Sequence, residues 1–346
     1  MWFNSFSQAA SAPESEIREN GRPVRDKGRG YIFTEALVAA IDVAIGLGRP
    51  LLVSGEPGCG KTELGYAIAR RLGIPRVHFF STKSNSEARD LFYTYDAIGR
   101  FRDAQAGRAG GQADVADYIE FEALGEAILD AHAPHEVAHL LEGRRAYTHP
   151  GMPTRSVVII DEVDKASRDF PNDLLREIED LAFRVPELGR RDGGPAAAAP
   201  ETPGGIPPQR RPIIVITSNE ERQLPDAFLR RCVFHEIAFP EAGVLRRIIA
   251  SGLEKRLLGG GAPLTLPDEE RDALIALLQD FRGLRLDKKP GISEMIDAAA
   301  LVAYPRDQHP PPLDTRLGAT TAALAKLKND RAEFGALIER WVRQGG

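Results

Sequence analysis

The chain has 346 residues, of which 42% are hydrophobic and 27% charged, and its formal net charge is −5. This composition is that of an ordinary globular protein, and the mild negative charge gives no overall case for nucleic-acid binding. Its two cysteines exclude a disulfide scaffold and no apolar run has the length of a membrane span, so we expect a cytoplasmic protein that contacts no membrane.

The pattern along the chain predicts an α/β core. Residues 1–30 are polar, and we expect a flexible N-terminal arm there. Residues 34–47 then repeat apolar side chains at helical spacing. Four short apolar runs follow, separated by helical patterns: 51–53, 76–80, 156–160 and 213–217. Continuous β-branched runs are typical of strands buried on both faces of a parallel sheet, so residues 31–240 are predicted to form an α/β domain.

Two stretches interrupt this alternation. Residues 99–155 contain glycine-rich breaks and an Ala/Leu/Ile helix near 117–131, and we predict a helical insertion. Residues 189–212 are rich in Gly and Pro and include the run Ala196–Ala199, and we predict a mobile loop. Residues 241–346 are predicted to form an all-α lid with helices over 241–258, 268–282, 291–303 and 318–342.

The first apolar run leads into a phosphate-binding motif. Residues 55–62 read GEPGCGKT, which fits G-x-x-x-x-G-K-[ST], and a predicted helix follows over 63–72. In such a loop the backbone N–H groups face phosphates, Lys61 reaches the β and γ oxygens, and the Thr62 hydroxyl ligates Mg²⁺. The predicted binding residues are Gly55, Glu56, Pro57, Gly58, Cys59, Gly60, Lys61, Thr62 and Glu63.

Acidic residues end the third apolar run. Carboxylates at the carboxyl end of a buried strand face the ligand crevice of an open α/β sheet. We therefore expect Asp161 to hold Mg²⁺ together with Thr62, and Glu162 to orient and deprotonate the attacking water. Asp164 and Lys165 are interpreted as a helix cap and a surface charge.

Two further polar signals follow the fourth run. The Asn219 amide can hydrogen-bond a γ-phosphate or the lytic water, with a simple chain turn as the alternative. Arg230 and Arg231 end the segment LPDAFLRRC, residues 224–232. In a ring these arginines would reach the neighbouring copy's site and stabilise transition-state charge, with compensation of a helix dipole as the alternative.

In order and spacing, the motifs GEPGCGKT, IIDEVDKA, ITSN and LPDAFLRRC resemble those of AAA+ ATPases, a family of P-loop NTPases. The helical insertion and the LPDAFLRR segment most resemble the MoxR-like branch, and the similarity extends over about residues 31–304. By this resemblance, the Walker A loop includes Gly60, Lys61 and Thr62, the Walker B acids are Asp161 and Glu162, sensor 1 is Asn219, and the arginine finger is Arg231 with Arg230 as its companion.

The resemblance implies a function. It implies a ring, which we expect to be a hexamer, that hydrolyses ATP with Mg²⁺ bound between the core and the lid. It also implies a chaperone-like role in remodelling or maturing a partner complex, often beside a protein with a von Willebrand A domain. A nucleotide-switched scaffold, in which hydrolysis only resets the state, remains an alternative. A DNA motor is disfavoured by the acidic balance.

One family feature is absent from the lid. The family's lid helix normally begins with a sensor 2 arginine, whereas residues 287–294 read DKKPGISE. Either Lys288 or Lys289 substitutes, although lysine lacks the bidentate fork of arginine, or this subgroup couples lid and nucleotide without that residue.

Three weaker signals have competing interpretations. Residues 135–139 read HEVAH and fit a zinc-peptidase pattern, but we interpret them as a helical surface because nothing fixes a third ligand. A helix N-terminus should lower the Cys59 thiol pKa, which makes redox control an alternative to simple packing. The aromatic group either contacts a partner or packs the insertion onto the sheet; its members are Phe92, Tyr93, Tyr95 and Phe101.

Overall fold

The computed structural model describes residues 6–9, 16–105, 114–141, 147–189, 199–256, 264–303 and 312–343. They form two compact units. The first contains the described residues of Met1–Gly28, Thr34–Ser54 and Thr62–Glu236, and the second those of Arg29–Phe33, Gly55–Lys61 and Ile237–Gly346. Most of the phosphate loop thus belongs to the second unit, and the strand-end acids belong to the first. The predicted domain boundaries at 30 and 240 stay predictions.

The described residues form a mostly parallel sheet of seven strands and a separate two-stranded pair. In chain order, the strands are β1 Ile17–Glu19, β2 Arg22–Val24, β3 Leu51–Gly55, β4 Arg76–Ser81, β5 Tyr93–Tyr95, β6 Ile119–Phe121, β7 Val157–Asp161, β8 Ile213–Ser218 and β9 Val233–Ile237. The large sheet has the order β2-β1-β4-β7-β8-β3-β9. The five neighbouring strands β1-β4-β7-β8-β3 all pair in parallel, which confirms the predicted α/β class.

The central strands form because their side chains are apolar on both faces. Val157–Ile160 are completely buried, and Val215 and Ile216 of the adjacent strand are buried equally. Full burial of such a side chain contributes about 1.5–3 kcal/mol to folding. The parallel register places Ile160 beside Ile216, so β7 and β8 end close together with polar residues following each. This shared edge positions the candidate site.

Helices make up most of the remaining described structure. They are α1 Glu35–Leu47, α2 Lys61–Leu72, α3 Ala97–Gln105, α4 Ala123–Ala131, α5 Pro134–Leu141, α6 Phe170–Asp180, α7 Asp226–Leu229, α8 Ala242–Glu254, α9 Asp268–Gly283, α10 Ile292–Ala303, α11 Leu313–Gly318, α12 Thr321–Leu324 and α13 Lys328–Arg343. Among these described helices, none has the length and apolar character needed to span a bilayer.

The N-terminal prediction is wrong for residues 16–30. Instead of a loose arm, β1 and β2 form an antiparallel hairpin, and β1 continues the large sheet beside β4. Ile17 is completely buried. Lys27 and Tyr66 both bond the Glu19 carboxylate, at 2.6 and 2.9 Å, which holds the end of the segment against α2. These contacts offset the entropic cost of ordering a polar segment.

The insertion and the C-terminal helices differ in detail from their predictions. The helix expected near 117–131 begins only at Ala123, because residues 119–121 pair with β5. The single helix expected over 318–342 is divided into the end of α11, α12 and α13. The Thr320 hydroxyl donates to the Leu317 carbonyl at 2.7 Å, and such local side-chain bonds compete with continued helix.

The segment predicted to be a mobile loop lies partly outside the described residues, which omit 190–198. Its described part, 199–212, contains no helix or strand, in agreement with its composition. That part is nevertheless packed: Thr202 is buried and its hydroxyl accepts the Phe183 N–H at 2.9 Å, and Ile206 joins the core. Mobility therefore remains a prediction.

Candidate active site

The phosphate loop connects β3 to α2 and is shaped by glycine. Gly58 and Gly60 have φ angles of 77° and 94°, in the region that side chains with a Cβ rarely adopt. The chain can therefore reverse direction within a few residues before α2 begins at Lys61. Of the other predicted loop residues, Pro57 lies with its carbonyl against Gly291, and Glu63 accepts the Gly28 N–H at 2.6 Å.

The Lys61 ammonium group is held at the backbone of its own loop. Its Nζ donates to the carbonyl oxygens of Gly55 and Glu56 at 2.7 and 3.0 Å, and only 6% of the residue is exposed. Lys61 also lies 3.9 Å from the Cys59 sulfur. Burial nevertheless raises the pKa of the Cys59 thiol, with Lys61 opposing that shift. The expectation of a lowered thiol pKa is wrong because desolvation outweighs the nearby positive charge.

An arginine that the sequence reasoning missed contacts this loop within the second unit. Arg282, in the last turn of α9, donates to both Glu56 carboxylate oxygens, at 3.0 and 2.8 Å. Its guanidinium lies 3.7 Å from the ring centroid of Phe239. Both bonds come from the single Nη2 nitrogen, and hydrogen bonds between charged groups are among the stronger side-chain contacts. No sequence motif includes Arg282. A basic residue in the last turn of a helix is only a weak signal that its side chain contacts a neighbouring loop.

The start of α10 also contacts the loop, but without an arginine. Ser293 donates to the Gly58 carbonyl through its N–H and its hydroxyl, both at 3.2 Å. Lys288 and Lys289 are exposed, and the backbone N–H groups of Asp287 and Lys288 donate to the buried Asp330 carboxylate. Ser293 thus makes the contact at the helix start where the family would place its sensor 2 arginine.

In the first unit, a hydroxyl–carboxylate cluster forms at the ends of β7 and β8. The Thr62 and Thr217 hydroxyls both donate to Asp161 Oδ1, at 2.7 and 2.8 Å. The Thr217 oxygen also accepts the Glu162 N–H at 2.8 Å. Thr217 is completely buried and was not predicted as a site residue. It positions both acids at once because its side chain bridges the end of the adjacent strand.

Glu162 leaves the strand direction directly after Asp161. Its φ and ψ of 57° and 52° lie in the left-handed region, which is uncommon for a residue with a side chain. Its carboxylate accepts the Asn219 amide Nδ2 at 2.8 Å and pairs with Lys165. The hydrogen bond to Glu162 raises the pKa of Lys165. The structure therefore brings the two predicted residues Glu162 and Asn219 together.

Asp164 corrects an expectation. The sequence predicts a helix cap here, whereas this residue is only 3% exposed and bonds the backbone that follows β8. Its two carboxylate oxygens accept the backbone N–H groups of Asn219 and Glu221, at 3.2 and 2.9 Å. These bonds fix the backbone that carries Asn219. Lys165 is also more than a surface charge, because it pairs with Glu162.

The two arginines of the LPDAFLRRC segment lie on the surface of the first unit. α7 ends at Leu229, and Arg230 and Arg231 follow it as exposed residues. The Arg231 Nε lies 3.2 Å from a Glu179 carboxylate oxygen, with both side chains more than half exposed. Such an exposed ion pair is worth about 1 kcal/mol or less, so Arg231 can exchange this partner for another.

The weaker sequence signals do not form a metal site among the described residues, which contain no cluster of three or more His, Cys, Asp or Glu side chains suited to a metal ion. In the HEVAH segment, His139 contacts the Glu201 carbonyl at 3.0 Å, and Glu136 accepts the Ala133 N–H at the start of α5. The aromatic group divides: Phe92 and Tyr93 pack on Phe183, whereas 62% of Phe101 is exposed.

The oxygen ligands at the strand ends fit Mg²⁺. Thr62 and Asp161 present one hydroxyl and one carboxylate, and their oxygens lie 2.7 Å apart. Mg²⁺ prefers hard oxygen ligands and is usually bound through one or two carboxylates, with substrate phosphates and water completing the octahedron. A site with few protein ligands is therefore what a magnesium–nucleotide complex requires.

A P-loop followed by strand-end acids on a parallel sheet defines the class of P-loop NTPases, and the comparison with protein families narrows it. Residues 50–232, more than half of the chain, match the AAA domain (dynein-related subfamily). The chain belongs to this family of AAA+ ATPases. No curated protein matches its sequence.

Several solved structures match this chain at low sequence identity and low TM-score. A RuvB variant from Thermotoga maritima has a TM-score of 0.40 and 16% identity, over 78% of this chain and 59% of that one. C. elegans PCH-2 has a TM-score of 0.41 and 15% identity, over 87% and 72%. The FIGL-1 AAA domain in complex with ADP has a TM-score of 0.36 and 13% identity, over 85% and 78%. The chain thus spans 59% of the RuvB length.

Proposed function

We propose that this protein is a MoxR-like AAA+ ATPase that hydrolyses Mg²⁺–ATP to remodel or mature a partner protein complex. The observation that carries the proposal is that the two adjacent acids, Asp161 and Glu162, bond different partners. Asp161 bonds the Thr62 hydroxyl at 2.7 Å, and Glu162 bonds the Asn219 amide at 2.8 Å. One carboxylate is thereby available to a metal and the other to a water molecule.

The loop residues bind the phosphates in this proposal. Lys61 exchanges its bonds to the Gly55 and Glu56 carbonyls for bonds to the β and γ oxygens of ATP. Thr62 and Asp161 would hold Mg²⁺, which supplies charge neutralisation to the phosphates when bound. The positive-φ glycines Gly58 and Gly60 allow the backbone N–H groups to turn toward the same anion.

Glu162 is the proposed general base. Its carboxylate removes a proton from the water that attacks the γ-phosphorus, and a positioned base contributes about 10²–10⁴-fold to a rate. Asn219 holds one carboxylate oxygen and Lys165 the other, which keeps the acid oriented. The carboxylate of the buried Asp164 accepts the Asn219 N–H and so fixes the position of Asn219. Hydrogen bonds therefore hold both residues proposed to contact the water, Glu162 and Asn219.

A neighbouring copy completes the site in this proposal. Arg231 is exposed and forms a surface ion pair with Glu179, which it can exchange for a contact with another chain, and Arg230 lies beside it. An arginine supplied in this way can raise a phosphoryl-transfer rate about 10³–10⁵-fold. The expected assembly is a cytoplasmic hexameric ring that acts on a protein client, with a von Willebrand A domain protein as the proposed partner. Nucleic acid is disfavoured as a client by the net charge of −5.

Three variants test the proposal. Lys61→Ala should lose ATP binding, because the ammonium group is the main cation of the loop. Glu162→Gln should bind ATP as the wild type does, yet hydrolyse it at least about 100-fold more slowly. Glu220→Gln is the matched control, because it makes the same change at an exposed acid that directly follows Asn219 in the sequence. This variant should keep full turnover. Wild-type hydrolysis by Glu162→Gln, or no ATP binding by the wild type, would contradict the proposal.

A nucleotide-switched scaffold is the second candidate, and one observation favours it. The α10 start reaches the loop through Ser293 and not through an arginine that could sense the γ-phosphate. The two candidates differ in what hydrolysis does. A remodelling enzyme should turn over faster with its client, and its Glu162→Gln form should trap that client. A scaffold should keep its biological output in Glu162→Gln, since ATP binding alone would assemble it.

A further inference from the structure

A cavity lies in the first unit at the opposite end of the sheet from the acids. Its walls include the residues just before β3, β7 and β8, namely Gly48–Pro50, Arg155 and Arg211–Pro212. It has a volume of about 540 Å³. Because a strand rises about 3.3 Å per residue, a five-residue strand separates this cavity from Asp161 by roughly 15 Å. The cavity is therefore distinct from the candidate active site.

Three arginines line this cavity: Arg49, Arg155 and Arg211. Arg155 Nε donates to the Arg211 carbonyl at 2.8 Å, and Arg211 Nη2 reaches the Glu179 carbonyl at 3.5 Å. Those partners are backbone oxygens. Within the described part of the chain, none of the three arginines forms an ion pair with a carboxylate, and no acidic residue lines the cavity.

The arginine charges are costly as they stand. The Nε atom of Arg211 is buried and has no hydrogen-bond partner among the described residues. Burial also lowers the pKa of Arg155 through desolvation. An uncompensated buried charge destabilises a fold, whereas an oxyanion would satisfy the free N–H group and balance the charge. The unpartnered Arg211 Nε and the three arginines of the cavity wall therefore favour a negative ligand.

The remaining wall is apolar and determines the rest of the ligand. Ile178 and Leu181 from the end of α6, Ile206, and Ile45 and Leu47 from the end of α1 face the same space. A volume of about 540 Å³ lies in the range of small-molecule sites, roughly 300–1,000 Å³. We propose that this cavity binds a small organic anion, with its carboxylate or phosphate at the arginines and its apolar body against α1 and α6.

Calorimetric titration of the full chain tests this site with two probes, phenyl phosphate and benzoate. The Lys61→Ala background removes competing phosphate binding at the loop. We expect one probe molecule per chain and a Kd of about 1 mM or tighter for at least one head group. Comparing the two probes distinguishes a phosphate site from a carboxylate site. The readout does not involve ATP hydrolysis, so failure here leaves the proposed ATPase function unaffected.

Arginine variants supply the controls. Arg211→Met and Arg49→Met should each weaken binding about tenfold, the value of one charge-assisted bond. Arg210→Met removes the same charge from an exposed residue that does not line the cavity, and should bind as the parent does. Arg49 is exposed, so its variant should fold, as melting curves would verify. No binding of either probe at about 10 mM, or equal binding by all three variants, would overturn the proposal.

Discussion

Asp161 and Glu162 are adjacent in the chain, but the left-handed backbone of Glu162 gives their carboxylates different partners. Asp161 is the last residue of β7 and keeps the strand direction, whereas Glu162 turns toward Asn219. Thr217 stabilises this turn by donating to one acid and accepting the N–H of the other. The geometry that separates the two carboxylates, and with them their proposed roles, therefore depends on a neutral, fully buried hydroxyl.

Replacing Thr217 with valine tests that dependence. Thr217→Val keeps the volume but leaves the Glu162 N–H without its acceptor and Asp161 without one donor. We expect ATP hydrolysis to fall about 10- to 100-fold, as is usual when a residue that orients a metal ligand is lost. Steady-state turnover with saturating ATP measures this effect. Thr217→Ser retains the hydroxyl and should retain most activity. A valine variant as active as the wild type would contradict the assigned role.

Glu122 gives a prediction about pH. Burial first, and then repulsion from Glu120 and Glu126, raises the pKa of Glu122 to about 7. A folded-state pKa above the unfolded one means that the folded state binds the proton more tightly. This carboxyl therefore costs stability as pH rises from its unfolded pKa of about 4.5 to about 7, and the full cost remains above that range.

The Glu122→Gln variant should remove this pH dependence. Its melting temperature should exceed that of the wild type by a few degrees at about pH 8, and the difference should vanish near about pH 4. Differential scanning calorimetry across that range provides the measurement. Glu333→Gln changes an exposed carboxylate and serves as the control, with a difference that does not vary with pH. A constant difference for Glu122→Gln would refute the raised pKa.

At the scale of single residues, sequence motifs identified the predicted site residues but not the residues that hold them in place. Lys61, Asp161, Glu162 and Asn219 each follow a recognisable strand or loop pattern. Thr217 reads only as the end of an apolar run, and Arg282 as one more basic residue near a helix end. Nothing local distinguishes these two, because their importance comes from residues more than 50 positions away that tertiary folding brings to them.

At the scale of secondary structure, the sequence likewise predicts some strands and misses others. Apolar runs predicted β3, β4, β7 and β8 to within two residues, because strands buried on both faces need continuous hydrophobicity. β1 and β2 were missed, since both are short and charged. Their turn, Asn20-Gly21, is nevertheless a recognised hairpin signal, with both residues at positive φ. Polar strands at a sheet edge are thus better found from their turns than from hydrophobicity.

Within the second unit, Asp330 holds the backbone of the segment that leads into α10. This residue is 1% exposed, and its carboxylate accepts the N–H groups of Asp287 and Lys288, at 2.9 and 3.1 Å. Asp330→Ala would leave both donors unpaired, and we expect a loss of about 1–3 kcal/mol in the free energy of unfolding. Asp330→Asn retains one acceptor and should lose less.

Tryptophan fluorescence can follow this change in the second unit. Trp341 packs against the second unit's core, and Trp2 is the chain's other tryptophan. In a Trp2→Phe background, urea unfolding monitored at Trp341 therefore reports on the second unit. If Asp330→Ala and the parent have the same transition midpoint, the carboxylate does not stabilise the segment that leads into α10.

For the whole molecule, the sequence predicts the α/β fold class, and its site predictions rest on local patterns. The phosphate loop, the strand-end acids and Asn219 each occupy a fixed position relative to one strand. Assembly has no such local pattern: Arg231 and Arg230 are exposed on a single chain, and the catalytic role proposed for them requires a second copy. The cavity beside Arg155 is also a tertiary feature, built from segments up to about 170 residues apart.

Mixing two inactive variants tests the shared site most directly. Lys61→Ala subunits should lack ATP binding but still supply Arg231, and Arg231→Ala subunits should bind ATP but lack the arginine. If neighbouring copies share each site, the separate variants are inactive and mixed rings regain part of the ATPase activity, with a maximum at intermediate ratios. Full activity of Arg231→Ala alone, or no recovery at any ratio although mixed rings form, would contradict the account.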